Sequence, residues 1–329
     1  MAPDRTFEAK INSLQSNRIT KQTMPTIQNQ NFGVEIEVAG AARHQIALAV
    51  AEATGGSITA VNAPGGYDAT IVTDRLEREW KIMNDSSIAV IGGHRGSEVV
   101  TPILTYADLP ILQEVVRKVK LAGAMSPSST SVHIHVDARP HTPQSLANLA
   151  KMVYKNEDLI FDALQVTAER RSRYTRPMES DFIGKVARHK PRSARQLNEY
   201  WYGSYNPNPQ HYDMSRYHGL NLNNLSREIG TIEFRYFNGT LHAGKIKSYV
   251  QLCLALSAKA LNSRAASHKK IPTDNPKFNF RVWLVATLGL KGEEFKTARY
   301  HLTHYLPGNS AWRYGRPTNR HNQLETEAQ

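Results

Sequence analysis

From Phe32 the chain alternates with a period of two: FGVEIEV sends Val34, Ile36 and Val38 to one face and Glu35 and Glu37 to the other. The same alternation recurs in three more segments. In SVHIHVD, Val132, Ile134 and Val136 oppose His133, His135 and Asp137. In TIEFRYF, Ile232, Phe234 and Tyr236 oppose Glu233 and Arg235. In LNLN, Leu220 and Leu222 oppose Asn221 and Asn223. These segments predict strands with an apolar face for packing under helices and a polar face opposite. SITAV, YDATIVT, EREWKIM and EVVTP add four strand candidates. Helical spacing covers about residues 43 to 53, ending at Gly55-Gly56, and about 106 to 122, stopping at Gly123. It continues from Pro143 to about Arg173, from about 243 to 262, and in pieces from about 280 to 305. Residues 174 to 216 read as irregular, with NEYWYGSYNPNPQHYD as the most loop-like part. The organisation predicted is a flexible N-terminal arm over residues 1–30, one domain over 31–310 and a polar tail over 311–329.

Composition sharpens this picture at a few points. Any single strand of this kind is compatible with a half-exposed sheet. Solvent faces, however, usually draw on lysine, threonine, serine and glutamine. Here the polar positions are Glu, His, Asp, Asn and Arg, the residue types that bind metals and phosphates. Clustered carboxylates resist charging together, and a divalent cation removes the conflict. Oxygen-rich ligands with an imidazole suit magnesium or manganese better than zinc, and no HExxH or cysteine–histidine spacing occurs. The formal net charge of +12 favours anionic partners without supplying a base-reading motif. The basic clusters Arg188–Arg195 and Arg264–Lys270 both read as loops. A single cysteine, Cys253, lies in the apolar run YVQLCLALSAKAL; it excludes an internal disulfide, fits a reducing, cytoplasmic compartment, and reads as a buried structural thiol. No apolar run approaches the ~20 residues that span a bilayer.

Six segments in order carry a resemblance to the amidoligase family, relatives of glutamine synthetase and γ-glutamylcysteine ligase. They are GVEIE (Gly33–Glu37), Trp80 with Asp85 and Ser87, EVVTP (Glu98–Pro102), HIHVD (His133–Asp137), RYHGLNL (Arg216–Leu222) and TIEFRYFNGT (Thr231–Thr240). The resemblance implies an α+β fold: a curved antiparallel sheet of the glutamine synthetase type with helices on its outer face. It implies ATP and Mg2+ (or Mn2+) bound on the inner face. By the same likeness Glu35, Glu37, Asp85, Glu98, His133 and Glu233 form the metal shell, His135 contacts nucleotide or phosphate, and Arg235 faces the transferred phosphoryl group. Arg216 and Asn221 are similarly implied as substrate or phosphate contacts. Two departures stand out: Ser129-Thr130-Ser131 precedes the His133 strand, and Ser86 follows Asp85, where the family more often has glycine. Residues 174 to 210 match poorly, and no GxxxxGK[ST] motif is present.

The implied reaction joins a small-molecule or peptide carboxylate to an amine. The acid attacks the γ-phosphoryl group of ATP, and the amine then displaces phosphate from the acyl phosphate. Such chemistry needs positioning and charge neutralisation more than a protein nucleophile. The catalytic roles fall to Arg235, Glu233 and Glu35. Two alternatives use the same residues differently. A metal-dependent phosphohydrolase would need no amine. A basic nucleic-acid-binding protein would use the polar face for docking, against which the acidic residues on that face weigh, since carboxylates repel phosphates.

Overall fold

The computed structural model describes residues 24–63, 68–226, 230–270 and 274–315. Eight strands form one open sheet: β1 (Phe32–Val38), β2 (Ser57–Ala63), β3 (Ala69–Thr73), β4 (Glu79–Asn84), β5 (Ser97–Val100), β6 (Ser131–Asp137), β7 (Leu220–Asn221) and β8 (Thr231–Asn238). Their spatial order is β2-β3-β4-β5-β1-β6-β8-β7, and every pairing is antiparallel. The architecture is therefore mixed α and β around a large antiparallel sheet that is not closed. Val34, Ile36 and Val38 of β1, Val132, Ile134 and Val136 of β6, and Ile232 and Phe234 of β8 are all buried in the core.

The helices that cover this apolar face are α1 (Arg43–Thr54), α2 (Leu109–Leu121), α3 (Pro143–Ala163) and α7 (Ala243–Leu261). Helix α7 is buried along nearly its whole length, including Ile246, Val250, Cys253 and Leu254, because it packs on α2, α3 and β6 together. Burial raises the Cys253 thiol well above its ordinary value, so it is held as a protonated, inert group. Among the described residues no helix is long and apolar enough to cross a membrane.

Three elements differ from the sequence pattern. The long helix predicted to Arg173 ends at Ala163; Gln165 takes a left-handed φ of 54°, and α4 (Ala168–Arg173) restarts behind a Thr167 cap. The segment predicted as irregular contains α5 (Ser180–His189) and α6 (Ala194–Tyr202). Phe182, Ile183 and Val186 bury one stripe of α5, Ala194 and Leu197 bury one of α6, and Ser193 caps the latter through the Gln196 N–H. The basic residues that suggested a loop are the last turn of α5 and its exit, where positive side chains complement the helix end. Third, the strand predicted at LNLN, residues 220 to 223, shrinks to Leu220–Asn221, because Asn223–Ser226 turns into a 3-10 helix. After α7 come α8 (Pro276–Val282) and α9 (Lys296–Thr303).

Residues 1–23 and 316–329, which hold most of the expected arm and tail, lie outside the described residues. Within the described part of the arm, Ile27 joins the core, and Gln30 donates to the Leu254 carbonyl and accepts from Ser257 Oγ.

One buried acid ties α3 to the sheet. Glu157 is fully buried, accepts from Tyr236 Oη at 2.7 Å and receives the Met178 N–H. Burial pushes its pKa up from 4.5 to about 7, against the opposing hydrogen bonds from Tyr236 and Met178. A raised folded-state value means that the native protein keeps a proton the unfolded chain releases. Stability therefore falls as pH rises from about 4.5 to 7, by about 3 kcal/mol in all. Glu157→Gln should flatten that fall, as read by denaturant melts at pH 5 and pH 8. An unchanged pH dependence in the variant would show that other groups cause it.

Candidate active site

Strand alternation and register together build the site. With one side chain in two projecting from the polar face, antiparallel pairing sets Glu35 opposite His133, Glu37 opposite Glu98, His135 opposite Glu233, and Asn221 opposite Glu233. A row of ionisable groups thus runs across β5, β1, β6 and β8. Glu37, His133, Glu233 and Arg235 are buried, which is unusual for such residues unless they are paired.

The contacts are specific. His133 Nδ1 lies 3.0 Å from Glu35 Oε2 and 3.8 Å from Glu233 Oε1, and its Nε2 lies 3.0 Å from Ser131 Oγ. The Ser131 N–H donates to Glu37 Oε2 at 2.7 Å. His135 Nδ1 meets Thr231 Oγ1 at 3.2 Å. Its Nε2 is 3.1 Å from Glu35 Oε1, an ion-pair approach at an angle that makes no hydrogen bond. Arg235 Nη1 donates to Glu233 Oε1, and its Nε donates to the Tyr174 carbonyl at 3.4 Å. Glu233 Oε2 accepts from Asn221 Nδ2 at 2.7 Å and Asn224 Nδ2 at 3.1 Å.

The charges are strongly unequal. Burial and the surrounding carboxylates of Glu35, Glu37, Asp85 and Glu233 push Glu98 well above the usual carboxylate range. Burial also acts on Glu35 and Glu233, but there it is overcome. His135 and His133 hold Glu35 well below its ordinary value, and Arg235 with the two histidines lowers Glu233 to about 2. Burial opposes a charged His135, yet Glu35 and Glu233 raise it to about 9.

Two groupings have ligand atoms within 4.8 Å of one another: Glu35, His133 and Glu233, and Glu37, Glu98 and His133. His133 is common to both. Four carboxylates and one imidazole form the donor set expected for a hard divalent cation, and the repulsion that raises Glu98 is of the kind a cation relieves.

The structure brings together Glu35, Glu37, Glu98, His133, His135, Glu233 and Arg235. Asp85 is at the margin, outside both groupings: it is half-buried, its Oδ1 accepts the Ser87 N–H at 2.7 Å, and its charge reaches Glu98. Arg216 donates to the His211 carbonyl at 3.0 Å and lies over the Tyr217 ring, which Arg235 also approaches. Asn221 is fully buried, with Nδ2 donating to Glu233 Oε2 and Oδ1 accepting the Asn223 N–H.

Sequence reasoning missed Ser131 and Asn224, which hold Glu37 and Glu233 in place, and Arg170. Arg170 is buried against the Arg235 backbone, with Nη2 donating to that carbonyl at 3.0 Å. The Thr167 cap was the available signal, since a helix restarting there swings Arg170 inward. A cleft of about 160 Å³ opens beside the cluster, lined by Gly33, Glu35, Thr101, His135, Asp137 and Thr231 among others. Gly33 keeps its floor free: a Cβ there would meet only Thr101 Oγ1 at 3.8 Å and His135 Cβ at 4.0 Å.

Among solved structures, the chain is similar to a bifunctional glutathione synthetase from Pasteurella multocida, at 12% identity and a TM-score of 0.39. The match covers 93% of this chain and 49% of that one, so the chain spans about half that protein's length. No match is found among curated proteins. The family model described as "Putative amidoligase enzyme" matches residues 28–257, a span that contains every residue of the cluster. The chain belongs to this amidoligase family.

Proposed function

We propose that the protein is an ATP-dependent carboxylate–amine ligase that forms an amide through an acyl phosphate. The observation that carries this reading is the joining, on one sheet face, of two carboxylate–histidine groupings to a buried arginine. Family membership supports the ligase class. We read the open antiparallel sheet as the glutamine synthetase type, and small acids and amines as the substrates.

The donor set fits magnesium or manganese, held by Glu35, His133 and Glu233 at one point and by Glu37, Glu98 and His133 at another. Bound there, such ions would neutralise phosphate oxygens and lower the cost of charge moving toward the leaving oxygen. The protein's own part is positional. Glu233 is fixed by Asn221 and Asn224, and in turn it fixes the Arg235 guanidinium. Arg235 has five N–H donors, and its contacts to Glu233 and the Tyr174 carbonyl occupy two. The rest are free to grip two oxygens of a phosphoryl group at once. His135 is poised to add a second positive group beside Glu35. The burial and fixed orientation of Glu233 and Arg235 make these contacts worth more than they would be in water.

ATP consumption should require magnesium or manganese and an acceptor amine. Coupled ADP release, measured with and without a mixed amine pool and with excess chelator, checks this. Brisk turnover in chelator would rule out the chemistry. Equal turnover without amine would favour a phosphohydrolase on the same carboxylates.

A further inference from the structure

We infer that Arg170 is a second anion-binding arginine of this site, gripping the triphosphate of the nucleotide together with Arg235; this rests on the ligase reading above. The residue sits on α4, well outside the polar strands, yet only 5% of it is exposed. Its guanidinium reaches the sheet from the side, where Nη2 donates to the Arg235 carbonyl at 3.0 Å. That is its one side-chain hydrogen bond among the described residues, and Nε is buried with no acceptor. A buried Nε–H with no acceptor is costly, since such groups are nearly always paired.

The surroundings say which charge is missing. Glu37 lies close enough to act on Arg170, and Arg235 lies close enough to repel it. Glu37 also acts on Arg235. No ion pair joins Arg170 to Glu37 or to any other acid among the described residues. Two guanidiniums therefore lie within electrostatic range of a carboxylate that belongs to a cation grouping and pairs with neither of them. A group with several anionic oxygens, able to accept from both arginines while sharing the cation with Glu37, meets all three demands. A polyphosphate has that chemistry; a neutral amine or a nucleobase does not.

The rival role is a prop: Arg170 would only support the β8 backbone through the Arg235 carbonyl. Arg170→Lys keeps the charge and one donor for that carbonyl but loses the planar fork, while Arg170→Met loses both. Titration calorimetry of the full chain with magnesium and a non-hydrolysable ATP analogue, and in parallel with AMP, separates the roles, alongside melting without ligand. We expect both variants to bind the triphosphate analogue at least tenfold more weakly than the wild type, with AMP affinity changed less than twofold. Equal losses for AMP and the triphosphate, or unchanged triphosphate affinity, would overturn the inference; the former, with a lowered melting point, would identify a prop. If Arg170→Met fails to fold, the lysine variant alone decides. Wild-type protein that binds neither nucleotide would overturn the ligase reading itself, and this inference with it.

Discussion

Arg235→Lys should lose on the order of a hundredfold or more in the rate of phosphoryl transfer while its melting temperature stays close to wild type. The reasons lie on opposite faces of β8. On the apolar face, Ile232, Phe234 and Tyr236 supply the packing, and the substitution leaves them untouched. On the polar face, Glu233 anchors the guanidinium, and lysine can keep that ion pair. What lysine cannot keep is the planar fork that meets two oxygens of one phosphoryl group. A contact made only as charge develops acts on the chemical step rather than on the fold. Single-turnover formation of the activated acid, set beside thermal melting of the same variant, measures both effects. Near-wild-type chemistry would remove Arg235 from the mechanism and leave it as a structural partner of Glu233.

Glu98→Gln should change stability and metal response in opposite directions. Without metal, Glu98 is half-buried next to Glu37 and within range of three other carboxylates, all of which disfavour its charge. Its folded-state pKa is raised, so the native state holds a proton that the unfolded chain gives up. Stability is lost as pH rises from the ordinary carboxylate range through that raised value. Glutamine cannot ionise and escapes this loss, so the metal-free variant should melt above wild type at neutral pH. The metal response should fall. A site filled at a hundred times its dissociation constant stabilises by about 2.7 kcal/mol. At about 2 °C per kcal/mol this is a shift of roughly 5 °C for the wild type. Losing even an outer-shell partner of a metal typically costs about 10–100-fold in affinity, so loss of a ligand should remove most of that shift. Melting curves with magnesium, with manganese and with chelator give both readings. A variant that is less stable without metal and equally stabilised by it would place Glu98 outside any cation site.

The parts of the site that could be read in the sequence are those governed by strand periodicity. Glu35, His133, His135, Glu233 and Arg235 sit within alternating runs whose apolar partners must enter the core, so their common face follows from the pattern. Register did not follow from it. Nothing in VEIEV or VHIHVD says that Glu35 meets His133 and that Glu37 meets Glu98, because pairing depends on connections and on neighbouring strands. The segment around α5 and α6 was obscured by its own composition. Arg188, His189, Lys190 and Arg192 surround Pro191 and mimic a loop, whereas Phe182, Ile183 and Val186 carry the helical stripe that packs against α3. Arg170 was hidden for a different reason. It is one of three arginines in AERRSR, and which of them turns inward is set by the break at Gln165 and the Thr167 cap that restarts the helix. Asp85 shows both sides of this: its Oδ1 closes a turn through the Ser87 N–H, as a carboxylate just after a strand often does, while its charge still acts on Glu98.

The central claim is that ATP energy is used to join an acid to an amine, and mass spectrometry tests it most directly. The full chain would be incubated with ATP, magnesium and a mixed pool of amino acids and short peptides. The account predicts a new species lighter by one water than the sum of two pool members, formed in step with ADP and absent when magnesium is chelated. ADP formed at the same rate with no such species, whatever amine is supplied, would contradict it.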